Sequence, residues 1–431
     1  MPSTRKSFLA AFITLAAFAL PLAAQSPRTY IKAGKLIDTR AGRELTDQVI
    51  VIEGDKIAEV GPAARISIPS GAKIIDLSKS TVLPGLIDMH DHLTGDHRFH
   101  GYRALAVSIP REALYGALNA RITLEAGFTT VRNVGASGYA DVALRDAIND
   151  GEIPGPRLRV SGPALGITGG HCDNNLLTHE YKDKGEGVAD GPWAVRAKVR
   201  EVIKYGADVI KFCATGGVLS KGDDVGAMQY TQEEMNALVD EAHKLGRRVA
   251  AHAHGPEGIK AAIRAGVDSI EHASLIDDEG IRLAKERGTY LVMDIYNDTF
   301  ILSEGEKMGM LPESIEKERQ IGKAQRENFQ KAWRAGVKMA FGSDGAVYPH
   351  GDNAKQFAYM VQYGMTPMQA IQAATIHAAD LIGWPEKVGA IEPGKFADII
   401  AVDASPLANV AALEKVSFVM KGGKVIPLST R

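Results

Sequence analysis

Cysteine is nearly absent. Cys172 and Cys213 are the two in 431 residues, which excludes a disulfide-stapled scaffold and leaves one bridge or two buried thiols open. An excess of charge of one sign is missing too: the formal net charge is -2 and no long basic run follows the amino terminus. That balance argues against nucleic acid as a partner and for a small molecule or short peptide. A long unbroken apolar run is also lacking. Phe8 to Leu22 is interrupted by Thr14 and Pro21, short of the roughly 20 residues a membrane helix needs. It follows Arg5 and Lys6 and leads through Ala23-Ala24 into polar Gln25-Ser26-Pro27, the pattern of a signal peptide over residues 1–24. The expectation is an exported protein, periplasmic or secreted, with no stable membrane span after cleavage. No cysteine follows the run, so a lipid anchor is not suggested.

What is present is apolar residue, 45% of the chain, enough for one large core and a satellite. Residues 28–84 read as short strands: Tyr30 to Ile37, Gln48 to Ile52, Lys56 to Val60 after a Gly54-Asp55 turn, and Lys73 to Leu77. Strand-like runs return over 388–431 at Ala397 to Val402, Val416 to Met420 and Gly423 to Ile426. Chain ends often meet in space, so the two segments are expected to form one small, discontinuous β-sandwich domain.

Residues 85–387 alternate eight apolar runs with helix-like stretches. The runs are Leu86 to His92, Phe128 to Val134, Leu158 to Pro163, Val209 to Thr215, Val249 to His254, Ser269 to Ala273, Tyr290 to Ile295 and Met339 to Asp344. Helical patterns such as Gln232 to Leu245, Pro256 to Ala265 and Asp278 to Arg287 separate them, several closing on glycine. Eight strand–helix units predict a parallel (β/α)₈ barrel, whose active residues lie at the carboxyl ends of the strands.

Polar residues fall at those ends. His90 and His92 are two apart on a strand and so project to one side, where they can share a metal ion. On the fourth run Val209, Lys211 and Cys213 share a face, which puts a lysine inside an apolar strand. Such a lysine is either one half of a buried ion pair or, capped by carbon dioxide as a carbamate, an anionic oxygen donor that bridges two ions. His252 and His254 share parity on the fifth run and either fits a ligand role; His272 ends the sixth, and Asp344 ends the eighth as a ligand or as a cap on the helix expected to follow.

This constellation resembles the amidohydrolase superfamily, whose pattern is matched by Pro84-Gly-Leu-Ile-Asp-Met-His-Asp-His92, Lys211, the later histidines, Gly342-Ser-Asp344 and Gly389 to Asp398. The resemblance implies two divalent ions, zinc first among them. It implies His90, His92, His252, His272 and Asp344 as ligands and Lys211 as a bridging N6-carboxylysine. His252 is preferred to His254 because its spacing to His272 is like that in related enzymes. Gly166-Ile-Thr-Gly-Gly-His171, Lys211 to Val218 and Ala251-His-Ala-His-Gly255 are similar to the branch of Xaa-Pro dipeptidase-like carboxypeptidases and ochratoxinase. By that similarity His171, Tyr230 and His254 touch substrate, Tyr230 or His254 donates to the oxyanion, and Asp344 moves the proton. The implied reaction is hydrolysis of an amide or peptide bond through a metal-activated water, releasing a carboxyl-terminal amino acid. Tyr230 also suits plain packing ahead of the helix near Thr231, and Arg98, Lys221 and His171 are candidates for the leaving group's carboxylate. Competing expectations are hydrolysis or deamination of a cyclic amide or amidine, as in imidazolonepropionase, and a non-catalytic scaffold. Relatives of this kind also imply a homo-oligomer.

Overall fold

The structure is a computed structural model that describes residues 28–429; the expected signal peptide lies outside them. Four strands open the described chain: β1 (Arg28–Asp38), β2 (Arg43–Glu53), β3 (Lys56–Pro62) and β4 (Lys73–Pro84). The middle supplies β5 (Leu86–Asp91), β6 (Phe128–Asn133), β7 (Arg157–Val160), β8 (Val209–Cys213), β9 (Arg248–Ala253), β10 (Ser269–His272) and β11 (Tyr290–Val292). The end adds β12 (Ile399–Val402), β13 (Val416–Lys421) and β14 (Lys424–Ile426). Among the described residues no helix is long and apolar enough to cross a membrane.

Both ends of the chain do meet, but not as two facing layers. Their strands form a single seven-stranded mixed sheet in the order β14-β13-β12-β4-β1-β2-β3, which replaces the expected sandwich. The sheet bends back on itself: Lys56 at the start of β3 bridges Phe396 just before β12, and Ile57 donates its N–H to the Lys395 carbonyl at 2.9 Å. Ile31, Ile50, Ile52, Ile57, Val82, Ile399 and Met420 then share one buried cluster. One curled sheet therefore encloses the apolar side chains that two sheets were expected to sandwich.

The middle is a TIM-barrel-type α/β array. Its strands are buried on both faces, outward beneath the helices and inward against one another, and so they read as continuous apolar runs. They form two parallel arcs, β5-β6-β7 and β11-β10-β9-β8, rather than one closed ladder. Isolated bridges lie at the seams: Leu165 to Phe212, Leu291 to Met339, and Asp91 to Gly345. The eighth apolar run is thus not a ladder strand. Phe341 donates its N–H to Ala373 in the helical segment beyond, while Ser343 and Asp344 both donate to the His90 carbonyl. Backbone groups shared in this way cannot repeat a strand's pairing.

The helices stop and start on local chemistry. Thr231 and Glu234 form a reciprocal capping box that begins the helix Gln232–Lys244. Gly266, at a φ of 98°, ends the helix Pro256–Ala265 in the left-handed conformation that glycine adopts without strain.

Candidate metal centre and active site

At the carboxyl ends of these strands lies a cavity of about 340 Å³. His90, His92, His171, Lys211, His252, His254, His272 and Asp344 all line it, so eight of the eleven residues singled out in the sequence come together. The cavity opens beside a hollow of about 640 Å³, with which it shares His92, Phe99, Gly135 and Cys172.

Tyr230 does not join them. It is fully buried, and its hydroxyl points between the carbonyls of Gly166 and Ala189, at 2.8 and 3.0 Å. It ties the loop before residue 190 to the base of the next helix, which is the packing alternative rather than the oxyanion donor. Arg98 and Lys221 do not reach the cavity either. Arg98 is held by Asp96, and Lys221 donates to the Tyr102 hydroxyl at 2.8 Å. Of the three carboxylate-binding candidates only His171 remains.

Three of the imidazoles are oriented from behind. His90 Nδ1 lies 3.0 Å from Glu271 Oε2, and Glu271 in turn accepts from Arg132 at 2.7 Å and from Ser269. His272 Nδ1 lies 2.8 Å from Asp294 Oδ1, which also accepts from Gln325. His254 Nδ1 lies 2.8 Å from the Ser274 hydroxyl. Fixing Nδ1 in this way leaves Nε2 free to face an ion, the usual support for metal-binding histidine. His90 Nε2 and His92 Nε2 converge on Asp344 Oδ1, at 3.4 and 3.3 Å.

Two groups of ligand atoms are close enough to hold an ion, His90 with His272 and Asp344, and His252 with His254 and His272. The fit is supported by an orphan: His252 Nε2 is buried with no hydrogen-bond partner. Burial also holds His90, His252 and His254 well below the ordinary imidazole range, so they present neutral nitrogen as a metal requires. His272 moves the other way. Burial opposes its protonation, but the neighbouring Asp294 more than offsets this. Burial also pushes on Asp344, yet His90 and His92 hold its carboxyl well below the usual range.

Lys211 is buried, and among the described residues no carboxylate comes within ion-pairing distance of its amine. Burial, only partly countered by Glu271 and Asp344, brings the amine down to about 8. The ordinary buried ion pair is therefore not what the structure contains.

Backbone strain gathers at the same place. His272, Ala273, Asp344 and Ala346 have φ of 68°, 50°, 56° and 87°, a region that costs a non-glycine residue about 1 kcal/mol or more and concentrates at functional sites. Gly217 serves the site by lacking a side chain, because a Cβ there would lie 2.3 Å from the His171 ring.

Sequence reasoning missed Glu271, Asp294 and Asn297, and it left the pairing of the cysteines open. Cys172 and Cys213 form a disulfide with Cα atoms 5.9 Å apart, fastening the residue after His171 to the end of β8. Glu271 and Asp294 were signalled by their places as acids in the apolar runs Ser269 to Ala273 and Tyr290 to Ile295; Asn297 had no comparable marker.

Comparison with known proteins fits this geometry. The amidohydrolase family matches residues 81–426. Ochratoxinase of Aspergillus niger is 36% identical over 428 residues, covering 92% of this chain and 86% of its own length. Imidazolonepropionase of Fusobacterium nucleatum is 26% identical over 425 residues, with 88% and 91% covered. The crystal structure of a Xaa-Pro dipeptidase with bound methionine in the active site is 41% identical with a TM-score of 0.87, covering 93% of this chain and 99% of that one.

Proposed function

The chain belongs to the amidohydrolase family, in its ochratoxinase-like branch, and is a hydrolase of carbon–nitrogen amide bonds; from that premise we propose a binuclear metal-dependent amidase that frees a carboxyl-terminal amino acid from a dipeptide or N-acyl amino acid. The observation that carries the proposal is Lys211, an inward lysine in a cavity lined by seven histidines and Asp344, with no acidic partner of its own. A lysine amine brought down toward neutrality attacks carbon dioxide readily. The Nζ–C bond forms, one proton leaves, and the carbamate oxygens become anionic donors between two ligand groups. Cyclic-amide hydrolysis with one ion needs no such bridge, and a scaffold needs no ligand set.

In this reading His90, His92, His252, His272 and Asp344 would hold the ions, and a carboxylated Lys211 would complete their ligand set. Such ions, zinc first by their nitrogen-rich ligands, polarise the scissile carbonyl and lower the pKa of water. Asp344 would take a proton from the attacking water and return it to the departing amine nitrogen. His254 stabilises the developing oxyanion through Nε2 when Ser274 donates its hydroxyl hydrogen to Nδ1. His171 receives the leaving group's carboxylate. Its Nδ1 meets Ser220 Oγ at 2.7 Å, and Ser220 donates to Asp223 at 2.6 Å, a relay that favours the imidazolium once an anion arrives.

The test is metal content per subunit together with amino-acid release from dipeptides and N-acyl amino acids. Near two ions with release from one carboxyl-terminal class is the expected result. One ion or none, with no release after zinc and bicarbonate are supplied, overturns it. The same proposal makes the protein an exported homo-oligomer, and the Cys172–Cys213 disulfide supports an oxidising compartment. Amino-terminal sequencing of protein recovered outside the cytosol and the native particle mass check both points.

A further inference from the structure

One acid in the cavity has no part in the chemistry above. Glu318 lies in the helix Pro312–Arg334, is 4% exposed and lines the same cavity as the histidines. Among the described residues no hydrogen-bond donor and no cation reaches its carboxyl, because each neighbouring donor is already engaged. Lys317 turns away to the carbonyls of Gly217 and Ser220 and to Asp223. Arg326 pairs with Asp298 at 2.7 Å and donates to the Ile295 carbonyl and Thr299. Gln325 and Asn297 serve Asp294.

The surroundings make this costly. Val218, Ile301, Ile321 and Val347 form an apolar cluster on this side of the cavity, and an acid without a partner in such a setting loses its hydration for nothing in return. Burial, with Asp298 and Asp294 near by, raises the Glu318 carboxyl to about 8 in the empty cavity. A cation brought in by a ligand would supply the missing partner and favour the ionised form.

The cavity then carries two complementary recognition groups on different elements. His171, with its relay to Asp223, suits a carboxylate, and Glu318 suits an ammonium. A zwitterion presents both. An unblocked dipeptide has a carboxylate on the leaving side and an α-ammonium on the acyl side, whereas an N-acyl amino acid has only the carboxylate.

We propose that Glu318 binds the free α-ammonium of an unblocked dipeptide and so selects dipeptides over N-acyl amino acids. The inference rests on the amidase reading of the same site. It makes Glu318 a specificity-determining residue and gives it no role in moving the proton.

The experiment compares kcat/KM for dipeptides and for the same dipeptides acetylated at the amine, in the wild-type holoenzyme and in Glu318→Gln. A charge-assisted hydrogen bond of this kind discriminates by about 10- to 100-fold. The wild type is expected to favour the free amine within that range, and Glu318→Gln to reduce the ratio at least tenfold, mainly through KM. A wild type that favours the acetylated member, or a ratio unmoved by the substitution, overturns the inference while leaving the amidase reading intact. Binding of a ketomethylene dipeptide isostere, with and without the acetyl group, is measured by calorimetry as a readout free of turnover. The free-amine form should bind more tightly to the wild type and lose that advantage in Glu318→Gln. If no member of any pair is cleaved and neither isostere binds, both readings fall together.

Discussion

Asp294 illustrates how much of this centre is decided by residues that would touch no ion. It accepts from His272 Nδ1, Gln325 and Asn297 at once, so it sets the ring's tautomer and tilt. Asp294→Ala is expected to weaken metal affinity by about 10- to 100-fold, measured by titration of the chelator-stripped protein. Ser274→Ala frees the His254 ring and lets the proton move to Nδ1. It is expected to lower kcat by about tenfold while metal content stays the same, and loss of metal instead would make His254 a ligand. Lys211→Ala should abolish activity, with partial return when a short carboxylate is added to replace the carbamate. Isotopically labelled bicarbonate should give a carbamate resonance in the wild type and none in the variant. At this scale the residues that line the cavity were legible because strand parity is visible in sequence: His90 and His92, or Lys211 beside apolar neighbours. Tyr230 misled because an aromatic ahead of a helix cap looks alike whether its hydroxyl faces a cavity or, as here, two backbone carbonyls. The role of Asp294 was hidden because the histidine it orients comes from a different strand.

Elements carry their own lessons. The eighth apolar run has the composition of a strand and begins as one, with Ala340 donating to the Leu291 carbonyl and Phe341 accepting from Met89, but the Phe341, Ser343 and Asp344 N–H groups go to Ala373 and to the His90 carbonyl, so the pairing ends after an isolated bridge. Composition reports burial, and pairing depends on partners that the sequence does not display. Gly342 belongs to the same segment and explains its approach: a Cβ there would lie 2.3 Å from Val292 and 2.9 Å from the His90 Cβ. The disulfide acts between elements. It closes 41 residues of sequence and ties the His171 loop to β8, and the chain-entropy model assigns such a closure about 4 kcal/mol. Replacing both cysteines by serine should lower stability by about that amount or less in chemical denaturation. It should also raise KM more than it lowers kcat, since His171 is the residue set loose.

Across the whole molecule, the sheet built from both ends is fastened to the barrel. Arg157, which begins β7, donates to Asp398 from Nε and Nη2 at 2.7 and 3.0 Å, and its guanidinium lies 3.6 Å from the centre of the Phe396 ring. Asp398 also accepts from the Gly422 N–H at 2.7 Å. Asp398→Ala leaves a partly buried arginine unpaired and is expected to cost about 3 to 5 kcal/mol in denaturant unfolding, with KM for the substrate unchanged. That the two ends would join was legible in their matching strand patterns. That they would form one curled sheet was not, because curvature depends on how Lys56 and Ile57 meet Phe396 and Lys395 from the far end of the chain.

β4 is paired with β1 on one side and with β12 on the other. During synthesis its first partner precedes it on the ribosome, and its second is made only after the entire barrel. Until Ile399–Val402 emerges, one edge of β4 stays open, an invitation to pair with a neighbouring nascent chain. Any chain that stops short of residue 399 keeps that edge for good. Such truncated products should therefore be recovered as aggregates even where every ligand of the centre has been made.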